Sequence, residues 1–534
     1  MTRNRWIRWL VLCSTLLFVI VVRTRLLDFP LERDEGEYAY TGQLILQGVN
    51  PFSAVYTMKL PGTSLMYAAI MAVFGQSSWG IHLGFMIVNC ATIIMLYFLS
   101  RKFTGETGAL FSSAAYAVLS LSETVYGFAA HSEHFVVFVA IAGFLLLLAA
   151  VEKQGPFRYL FTGILLGAAG VMKQPGFLFL AGGLAYLIYH QYVAKLEKVG
   201  SKKIASRLII FIAGALLPIC AILAWMFVSN VVPKFWFWTV TYATEYANEV
   251  PWSIALTRFP ESFFNVARGF FLLWWLAACG FVVTLFRRFP PGGKFFVIMF
   301  SATSLLAICP GFYFRNHYYV MLLPAVTMMA GIFVDFVGSL PIPGLNQSFS
   351  RLAAIVIASV SIILGVWQQK DYLFQRDPAT LSDIIYGPNI FQESQTIAAF
   401  IASRSTNTDT IAVLGSEPQI YFYSGRRSAT GYIYMYGLME DNNKYSLTMQ
   451  QELSREVESA SPKFVVFVSL QYSWIREEDS EQYVFDWLQR YLNREYVLVG
   501  VADILPERTV YAWLDGANRY ARQSSNYALI YERK

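Results

Sequence analysis

Long apolar runs separated by short polar and charged stretches fill the first two-thirds of the chain. A helix needs about 20 apolar residues to cross a bilayer, and eleven runs reach or approach that length. The runs are Trp6 to Val22, Trp79 to Leu99, Gly108 to Tyr126, Phe135 to Val151, Tyr159 to Val171, Phe177 to Tyr192, Leu208 to Val228, Phe263 to Phe286, Phe295 to Ile308, Tyr319 to Val334 and Leu352 to Trp367. The pattern predicts an α-helical polytopic membrane protein with about eleven transmembrane helices. The two short runs on either side of Lys173 could instead form one interrupted hairpin.

The composition changes after Trp367, where mixed polar and charged sequence continues without another membrane-length run. Short apolar runs typical of buried strands occur at Thr410 to Leu414, Phe464 to Val468, Tyr496 to Val501 and Ala528 to Tyr531. Helical spacing of apolar residues occurs at Phe391 to Ser403 and Glu481 to Leu492. We therefore predict two domains, a transmembrane domain over residues 1–370 and a soluble α/β domain over residues 371–534.

Basic residues fall in alternate loops, as the positive-inside rule requires if the N-terminus is cytoplasmic. On the predicted inner side lie Arg3, Arg5, Arg8, Arg101, Lys102, Lys153, Arg158, the basic residues from Lys195 to Arg207, Arg287, Arg288 and Lys294. This predicts a multi-pass protein of the cytoplasmic (inner) membrane, with the first long loop, residues 23–78, and the C-terminal domain on the outer side. We interpret the first run as an anchor, because Arg23 and Arg25 follow it without the small-residue cleavage pattern of a signal peptide.

The composition excludes a soluble globular protein of this size, because 56% of the 534 residues are hydrophobic and only 14% are charged. The net charge of +6 is distributed over the loops and does not indicate a nucleic-acid partner. The five cysteines lie in or at the ends of apolar runs, without CxxC or Cys/His spacing. They predict neither a disulfide framework nor a thiolate metal site.

An acidic cluster, Asp34-Glu35-Gly36-Glu37-Tyr38, follows the first apolar run. Carboxylates next to hydrocarbon are costly to keep charged, so such a cluster marks a candidate site. Lys59 follows in a turn bounded by Pro61 and Gly62, and a lysine near the membrane surface suits a phosphate group. Two segments of interfacial character, Glu37 to Leu46 and Pro61 to Phe74, complete the loop.

Three short motifs follow one another in this loop: Asp34-Glu35-x-x-Tyr38, Gly48-Val49-Asn50-Pro51 and Lys59-Leu60-Pro61. Two more lie further along, at His131-Ser132-Glu133 and at Arg315-Asn316-His317-Tyr318-Tyr319. In this order they resemble the GT-C superfamily of integral-membrane glycosyltransferases, above all the branch with the protein O-mannosyltransferases and the lipid A aminoarabinose transferase. In that family the turn is Lys-Pro-Pro-like, and this chain departs from it at its second position.

The resemblance implies transfer of a hexose or pentose from a polyprenyl-phosphate carrier to a lipid, glycan or protein acceptor at the outer membrane face, with inversion at the anomeric carbon. A carboxylate can deprotonate the acceptor hydroxyl, and cations can stabilise the departing lipid phosphate. Asp34 and Glu35 are the candidate catalytic carboxylates, with Asp34 as the base. The candidate substrate-binding residues are Tyr38, Tyr56, Lys59, His131, Glu133, Lys173, Arg315 and His317.

Each residue also has a structural interpretation. Asp34 and Glu35 could cap a helix beginning near Glu37, since acidic residues favour helix N-termini. Tyr38 and other aromatics could belong to the interfacial belt, and Lys59 could extend to the phosphates of membrane lipids. The alternative functions are a transporter or flippase of lipid-linked sugars, which would place polar residues at the membrane centre, and a glycan polymerase or ligase.

The sequence predicts no cofactor firmly. It contains no DxD, HExxH or glycine-rich phosphate loop, so neither a nucleotide-sugar donor nor a tightly bound metal is indicated. Clustered oxygens of Asp34, Glu35 and Glu133 could hold a divalent cation, and no metal is assigned. The predicted partners are the lipid-linked sugar donor, its acceptor and membrane lipids.

Overall fold

The computed structural model describes residues 2–153, 155–193, 200–341, 346–440 and 444–534. Helices occupy the first part of the chain and a six-stranded sheet lies near its C-terminus, so the predicted order of a helical membrane part and a C-terminal sheet domain is confirmed. We use the name C-terminal domain for residues 371–534, although that boundary stays a prediction. Lys195 and Lys198, from the predicted inner basic cluster, lie outside the described residues.

The first part contains seventeen α-helices among the described residues. They are α1 (Thr2–Arg25), α2 (Arg33–Leu46), α3 (Pro51–Ala54), α4 (Gly62–Phe74), α5 (Ser78–Ser100), α6 (Glu106–Leu119), α7 (Ser132–Lys153), α8 (Pro156–Met172), α9 (Phe177–Ile188), α10 (Ser201–Val228), α11 (Val232–Trp236), α12 (Ala243–Ala247), α13 (Trp252–Ala267), α14 (Phe271–Phe286), α15 (Gly293–Leu306), α16 (Leu323–Ser339) and α17 (Gln347–Gln368). Short 3-10 helices include Gln174–Gly176, Pro310–Phe312 and Asn316–Met321.

Six helical segments of the described chain are long and apolar enough to cross a membrane. They are Trp6–Arg25, Ser78–Ser100, Ser132–Lys153, Ser201–Val228, Trp252–Phe286 and Gln347–Gln368. Shorter apolar helices, including α8, α15 and α16, lie between them. Each predicted run therefore contains a helix, while the count of eleven transmembrane helices stays a prediction.

The C-terminal domain combines one mixed sheet with short helices. The helices are α18 (Pro378–Tyr386), α19 (Glu393–Ser403), α20 (Gln419–Ser424), α21 (Ser446–Ala460), α22 (Gln471–Trp474), α23 (Tyr483–Glu495) and α24 (Asp515–Arg519). The strands are β1 (Thr410–Leu414), β2 (Arg427–Ser428), β3 (Phe464–Ser469), β4 (Tyr496–Ile504), β5 (Thr509–Trp513) and β6 (Tyr527–Arg533), in the order β2-β1-β3-β6-β4-β5. Strand β1 runs parallel to β2 and β3, and the remaining pairs are antiparallel.

The first loop folds into helices α2, α3 and α4, of which α4 packs against the membrane helices α5 and α8, and α2 packs against α20 of the C-terminal domain. Helix α2 begins at Arg33, four residues before the predicted start at Glu37. Its N-cap is Glu32, whose carboxylate accepts the Glu35 N–H at 2.8 Å. Asp34 and Glu35 therefore lie in the first turn of the helix, and neither is its N-cap residue.

The turn that carries Lys59 packs tightly against the end of α8. A β-carbon at Gly62 would lie 2.5 Å from the carbonyl oxygen of Val171, so only glycine allows this approach. The Gln174 side chain donates to the Met58 carbonyl at 2.7 Å. These contacts hold the Lys59 turn next to the α8–α9 connection, where Lys173 lies.

Candidate active site

A cavity of about 270 Å³ lies where the first loop, the α8–α9 connection and the C-terminal domain meet. Seven of the ten predicted site residues line it, namely Asp34, Tyr38, Tyr56, Lys59, Lys173, Arg315 and His317. The other three, Glu35, His131 and Glu133, do not line the cavity and are buried behind its wall. The structure thus brings together residues that are up to 283 positions apart in the sequence (from Asp34 to His317, 317 − 34).

Lys59 joins two carboxylates of α2 at the cavity wall. Its Nζ lies 2.7 Å from Asp34 Oδ1 and 2.5 Å from Glu37 Oε2. The ammonium also lies 4.6 Å from the centre of the Tyr38 ring. Thr57 donates its hydroxyl hydrogen to Glu37 and accepts the Lys59 N–H at 3.1 Å, which fixes the turn. Asp34 and Lys59 therefore face each other at the cavity wall.

The Lys59 ammonium keeps Asp34 ionised. Burial alone would raise the pKa of Asp34, but the opposite charge of Lys59 outweighs it and holds the pKa well below the ordinary value of an aspartate. Burial would likewise lower the pKa of Lys59, whereas Asp34 and Glu37 raise it well above its ordinary value. Both partners are thus charged at neutral pH, and the Asp34 carboxylate carries no proton.

Glu35 points away from the cavity and holds α2 against the membrane helices. Its Oε1 accepts a hydrogen bond from the Ala130 N–H at 2.7 Å and lies 3.0 Å from His82 Nε2. The other ring nitrogen of His82 lies 2.9 Å from the Leu27 carbonyl oxygen. Both ring nitrogens of His82 therefore face acceptors, and the protonated form of His82 makes a buried ion pair with Glu35. This geometry places the Glu35 carboxylate outside the cavity, between α2 and the membrane helices, and its catalytic role stays a prediction.

We expect Glu35→Ala to destabilise the protein, because it leaves the His82 ring and the Ala130 N–H buried without their acceptor. Removing one member of a buried ion pair typically costs about 3–5 kcal/mol. Thermal unfolding of the purified protein in detergent should show a clear fall in Tm. Glu35→Gln keeps an acceptor oxygen, so its Tm should fall less than that of Glu35→Ala. A wild-type Tm for Glu35→Ala would contradict this structural role.

Two stacked imidazoles adjoin Asp34. The rings of His131 and His317 lie 4.3 Å apart at 15°, and one ligand atom from each lies within 4.8 Å of the other and of an Asp34 oxygen. Burial lowers the pKa of both histidines, so they are neutral. His131 Nε2 and His317 Nδ1 are buried without a hydrogen-bond partner among the described residues. A carboxylate with two neutral imidazoles fits a divalent metal such as zinc. The predicted set of Asp34, Glu35 and Glu133 is not the one that the structure groups.

Two further cations border the cavity. Lys173 forms an ion pair with the buried Glu133, and its Nζ lies 4.1 Å from the centre of the Tyr318 ring. Arg315 is exposed and donates to the Tyr246 hydroxyl at 3.0 Å. Among the described residues it forms no ion pair, so most of its N–H groups are available for an anion.

The C-terminal domain supplies one wall of the cavity, which no motif in the sequence predicts. Tyr432, Tyr434 and Tyr436 line the cavity, while the alternate residues Ile433 and Met435 are fully buried in the domain. This alternation is the period of an extended chain and was visible in the sequence. Glu37, which has no predicted role, also lines the cavity, because a residue three positions after Asp34 lies on the same side of a helix.

Comparisons with known proteins agree with this architecture. Residues 59–225 match the model of the family described as dolichyl-phosphate-mannose-protein mannosyltransferase. The chain is similar to ArnT from Cupriavidus metallidurans, solved bound to undecaprenyl phosphate, with 15% identity and a TM-score of 0.58 over 99% of this chain and 98% of that chain. It is also similar to the archaeal oligosaccharyltransferase AglB from Archaeoglobus fulgidus, solved with an inhibitory peptide and a dolichol-phosphate, with 12% identity and a TM-score of 0.56 over 95% of this chain and 74% of that chain.

No curated protein matches the chain in sequence. At these identities the likeness to solved structures concerns the fold, and it extends over both the helical part and the C-terminal domain. The family match adds the segment that begins at Lys59 and includes the α8–α9 connection. The predicted resemblance is therefore confirmed, and the chain has the fold of the GT-C superfamily of integral-membrane glycosyltransferases.

Proposed function

We propose that this protein is an inverting glycosyltransferase that moves a hexose or pentose from a polyprenyl-phosphate carrier to an acceptor at the outer face of the cytoplasmic membrane. The observation that carries the proposal is the Asp34–Lys59 pair, which lines one cavity together with Lys173 and Arg315. An ionised base and several cations at one place suit proton removal and stabilisation of a leaving phosphate. The similar structures were solved with undecaprenyl phosphate and dolichol-phosphate, which supports a carrier of this class.

The reaction is a single displacement at the anomeric carbon. The acceptor oxygen attacks this carbon on the face opposite the phosphate, and its proton passes to the Asp34 carboxylate. The bond between the anomeric carbon and the phosphate oxygen breaks, and its electron pair leaves with the lipid phosphate. Because a phosphate is a good leaving group, no second acid is needed, and the configuration at the anomeric carbon inverts.

Lys59 links donor binding to activation of the base. In the free protein its ammonium lies between Asp34 and Glu37, which weakens the basicity of Asp34. A donor phosphate draws the ammonium toward itself, so the pKa of Asp34 rises when the donor is in place. Arg315 supplies the other phosphate contacts through its free N–H groups, and Lys173 adds positive charge from the α8–α9 side.

The Asp34, His131 and His317 cluster offers a place for a divalent metal ion. Such an ion would supply positive charge next to the lipid phosphate when bound. Lys59, Lys173 and Arg315 already supply positive charge at the cavity without a metal ion.

Lipid, glycan and protein acceptors all present a nucleophile that Asp34 could deprotonate.

Mass spectrometry of lipids that copurify with the protein from native membranes tests this function. We expect a polyprenyl phosphate carrying one sugar residue, and we expect its conversion to free polyprenyl phosphate when the native membrane fraction is added back as an acceptor source. A donor that moves between leaflets but keeps its sugar would indicate the flippase alternative. A copurified carrier with a long glycan would indicate a polymerase or ligase.

A further inference from the structure

Helix α2 meets three different parts of the protein with three different faces. Asp34, Glu37 and Tyr38 face the cavity, and Glu35 faces the membrane helices. The third face, at Arg33, Gly36 and Tyr40, contacts the C-terminal domain. The spacing of three and four residues is that of one side of a helix. The helix that carries the proposed base is therefore docked directly onto the C-terminal domain.

The contact at Gly36 is as close as two backbones allow. A β-carbon at Gly36 would lie 2.7 Å from the backbone nitrogen of Gln419 in α20. One turn further on, the Tyr40 hydroxyl accepts the Ser428 N–H at 2.8 Å, and its ring stacks on Tyr421 at 5.2 Å. These contacts fix the distance and the rotation of α2 relative to the C-terminal domain.

Arg33 extends its whole guanidinium into the C-terminal domain. It donates to the Ser416 carbonyl at 2.9 Å, to Asn389 Oδ1 at 2.7 Å and to Glu417 Oε1 at 2.7 Å. Glu417 is fully buried and also accepts the Ser473 hydroxyl at 2.6 Å. A buried ion pair contributes little net stability, but three acceptors in different directions restrict the Arg33 guanidinium to one orientation. The C-terminal domain thus fixes the side chain of Arg33, the residue before Asp34.

Tyr434 also joins the C-terminal domain to α2, at the cavity itself. Its hydroxyl donates to the backbone carbonyl of Arg33 at 2.8 Å and lies 3.4 Å from Asp34 Oδ1. Its ring lies 5.4 Å from the Lys59 ammonium. A single side chain of the C-terminal domain therefore contacts the backbone before the base, the base and its cationic partner.

We propose that Arg33, Glu417 and Tyr434 are positioning residues for transfer. Through them the C-terminal domain holds the first turn of α2 and fixes the Asp34 carboxylate next to Lys59. This inference rests on the proposed function, because it assigns the residues a task in placing the base. The helical part alone therefore lacks a complete active site, and the C-terminal domain is part of the catalytic unit.

Tyr434→Phe tests the proposal, because it deletes one hydroxyl and keeps the ring. The protein is reconstituted in vesicles of native membrane lipids, which carry donor and acceptor, and the rate of polyprenyl phosphate release is divided by the number of sites that bind labelled undecaprenyl phosphate. We expect this rate per site to fall about tenfold, since small misplacements of a reacting group have effects of this order or larger. The affinity for undecaprenyl phosphate and the number of sites should match the wild type.

Tyr496→Phe is the matched control, because the Tyr496 hydroxyl donates to a backbone carbonyl, that of Pro462, at 2.6 Å within the same domain and away from the cavity. A purely structural role would lower the number of binding sites and leave the rate per site unchanged. Arg33→Lys retains the charge and loses the forked contacts, so its rate per site should also fall.

Two results would overturn the positioning role. A rate per site for Tyr434→Phe equal to that of Tyr496→Phe, in an assay where Asp34→Asn is inactive, would refute positioning alone. Full activity of Asp34→Asn in the same assay would refute the proposed function and the positioning role with it.

Discussion

Asp34→Asn is expected to reduce sugar transfer about 10³-fold while the protein still binds the polyprenyl-phosphate donor. General-base catalysis contributes about 10²–10⁴-fold, and asparagine has nearly the same shape but cannot accept a proton. Lys59 keeps its ion pair with Glu37 in this variant, so the turn that carries it should remain in place. The effect should therefore lie in the rate of the chemical step and not in donor affinity.

The measurement is single-turnover release of polyprenyl phosphate by the purified protein, with donor binding measured in parallel. Asp335→Asn is a matched control, because Asp335 also pairs with a basic side chain, that of Arg287 at 2.6 Å, and does not line the cavity. This control should transfer sugar at the wild-type rate. Wild-type transfer by Asp34→Asn would remove the base from the mechanism.

Lys59→Ala is expected to weaken binding of undecaprenyl phosphate about 10- to 100-fold, since a hydrogen bond to a charged group contributes about 1.5–3 kcal/mol. Lys370→Ala is the matched control, because the Lys370 ammonium lies 4.4 Å from the Trp367 ring at the end of α17, outside the cavity. It represents a lysine that does not line the cavity, and its variant should bind the lipid like the wild type. Wild-type lipid affinity in both variants would show that Lys59 is no phosphate ligand.

The same variant should change the pH dependence of transfer. The Lys59 ammonium favours the ionised form of Asp34 and holds its pKa well below the ordinary value. Without this cation the pKa of Asp34 rises, so more of the base is protonated at mildly acidic pH. The acidic limb of the pH profile of kcat/KM should therefore lie at higher pH in Lys59→Ala than in the wild type. An acidic limb that stays in place would contradict the electrostatic link between the two residues.

Local sequence pattern predicted that Asp34 and Lys59 of the first loop lie near each other. The acidic cluster, the Lys59 turn and the amphipathic segments after each of them all lie within one stretch of chain, and the structure brings Asp34 and Lys59 into contact. The period of the α-helix also separates neighbours: Glu35 lies about 100° around α2 from Asp34. With the helix predicted to begin at Glu37, the different directions of Asp34 and Glu35 could not be predicted, because residues before a helix have no fixed helical face.

The contribution of the C-terminal domain could not be predicted in the same way. The contacts of Arg33 with Glu417 and of Tyr434 with the Arg33 carbonyl join residues about 400 positions apart, and no local pattern specifies which surfaces pack together. Strands β2 and β5 were missed for a related reason. Strand β2 has two residues, both polar, and every residue of β5 is half-buried, so neither shows an alternation.

The most direct test of the account is a cryo-electron microscopy map of the protein in lipid nanodiscs with undecaprenyl phosphate. We predict that the phosphate lies in the cavity, within hydrogen-bond distance, about 2.7–3.2 Å, of Arg315 and Lys59, with Asp34 facing the space next to it. A phosphate bound elsewhere, with Lys59 still closed on Asp34 and Glu37, would contradict the proposed function.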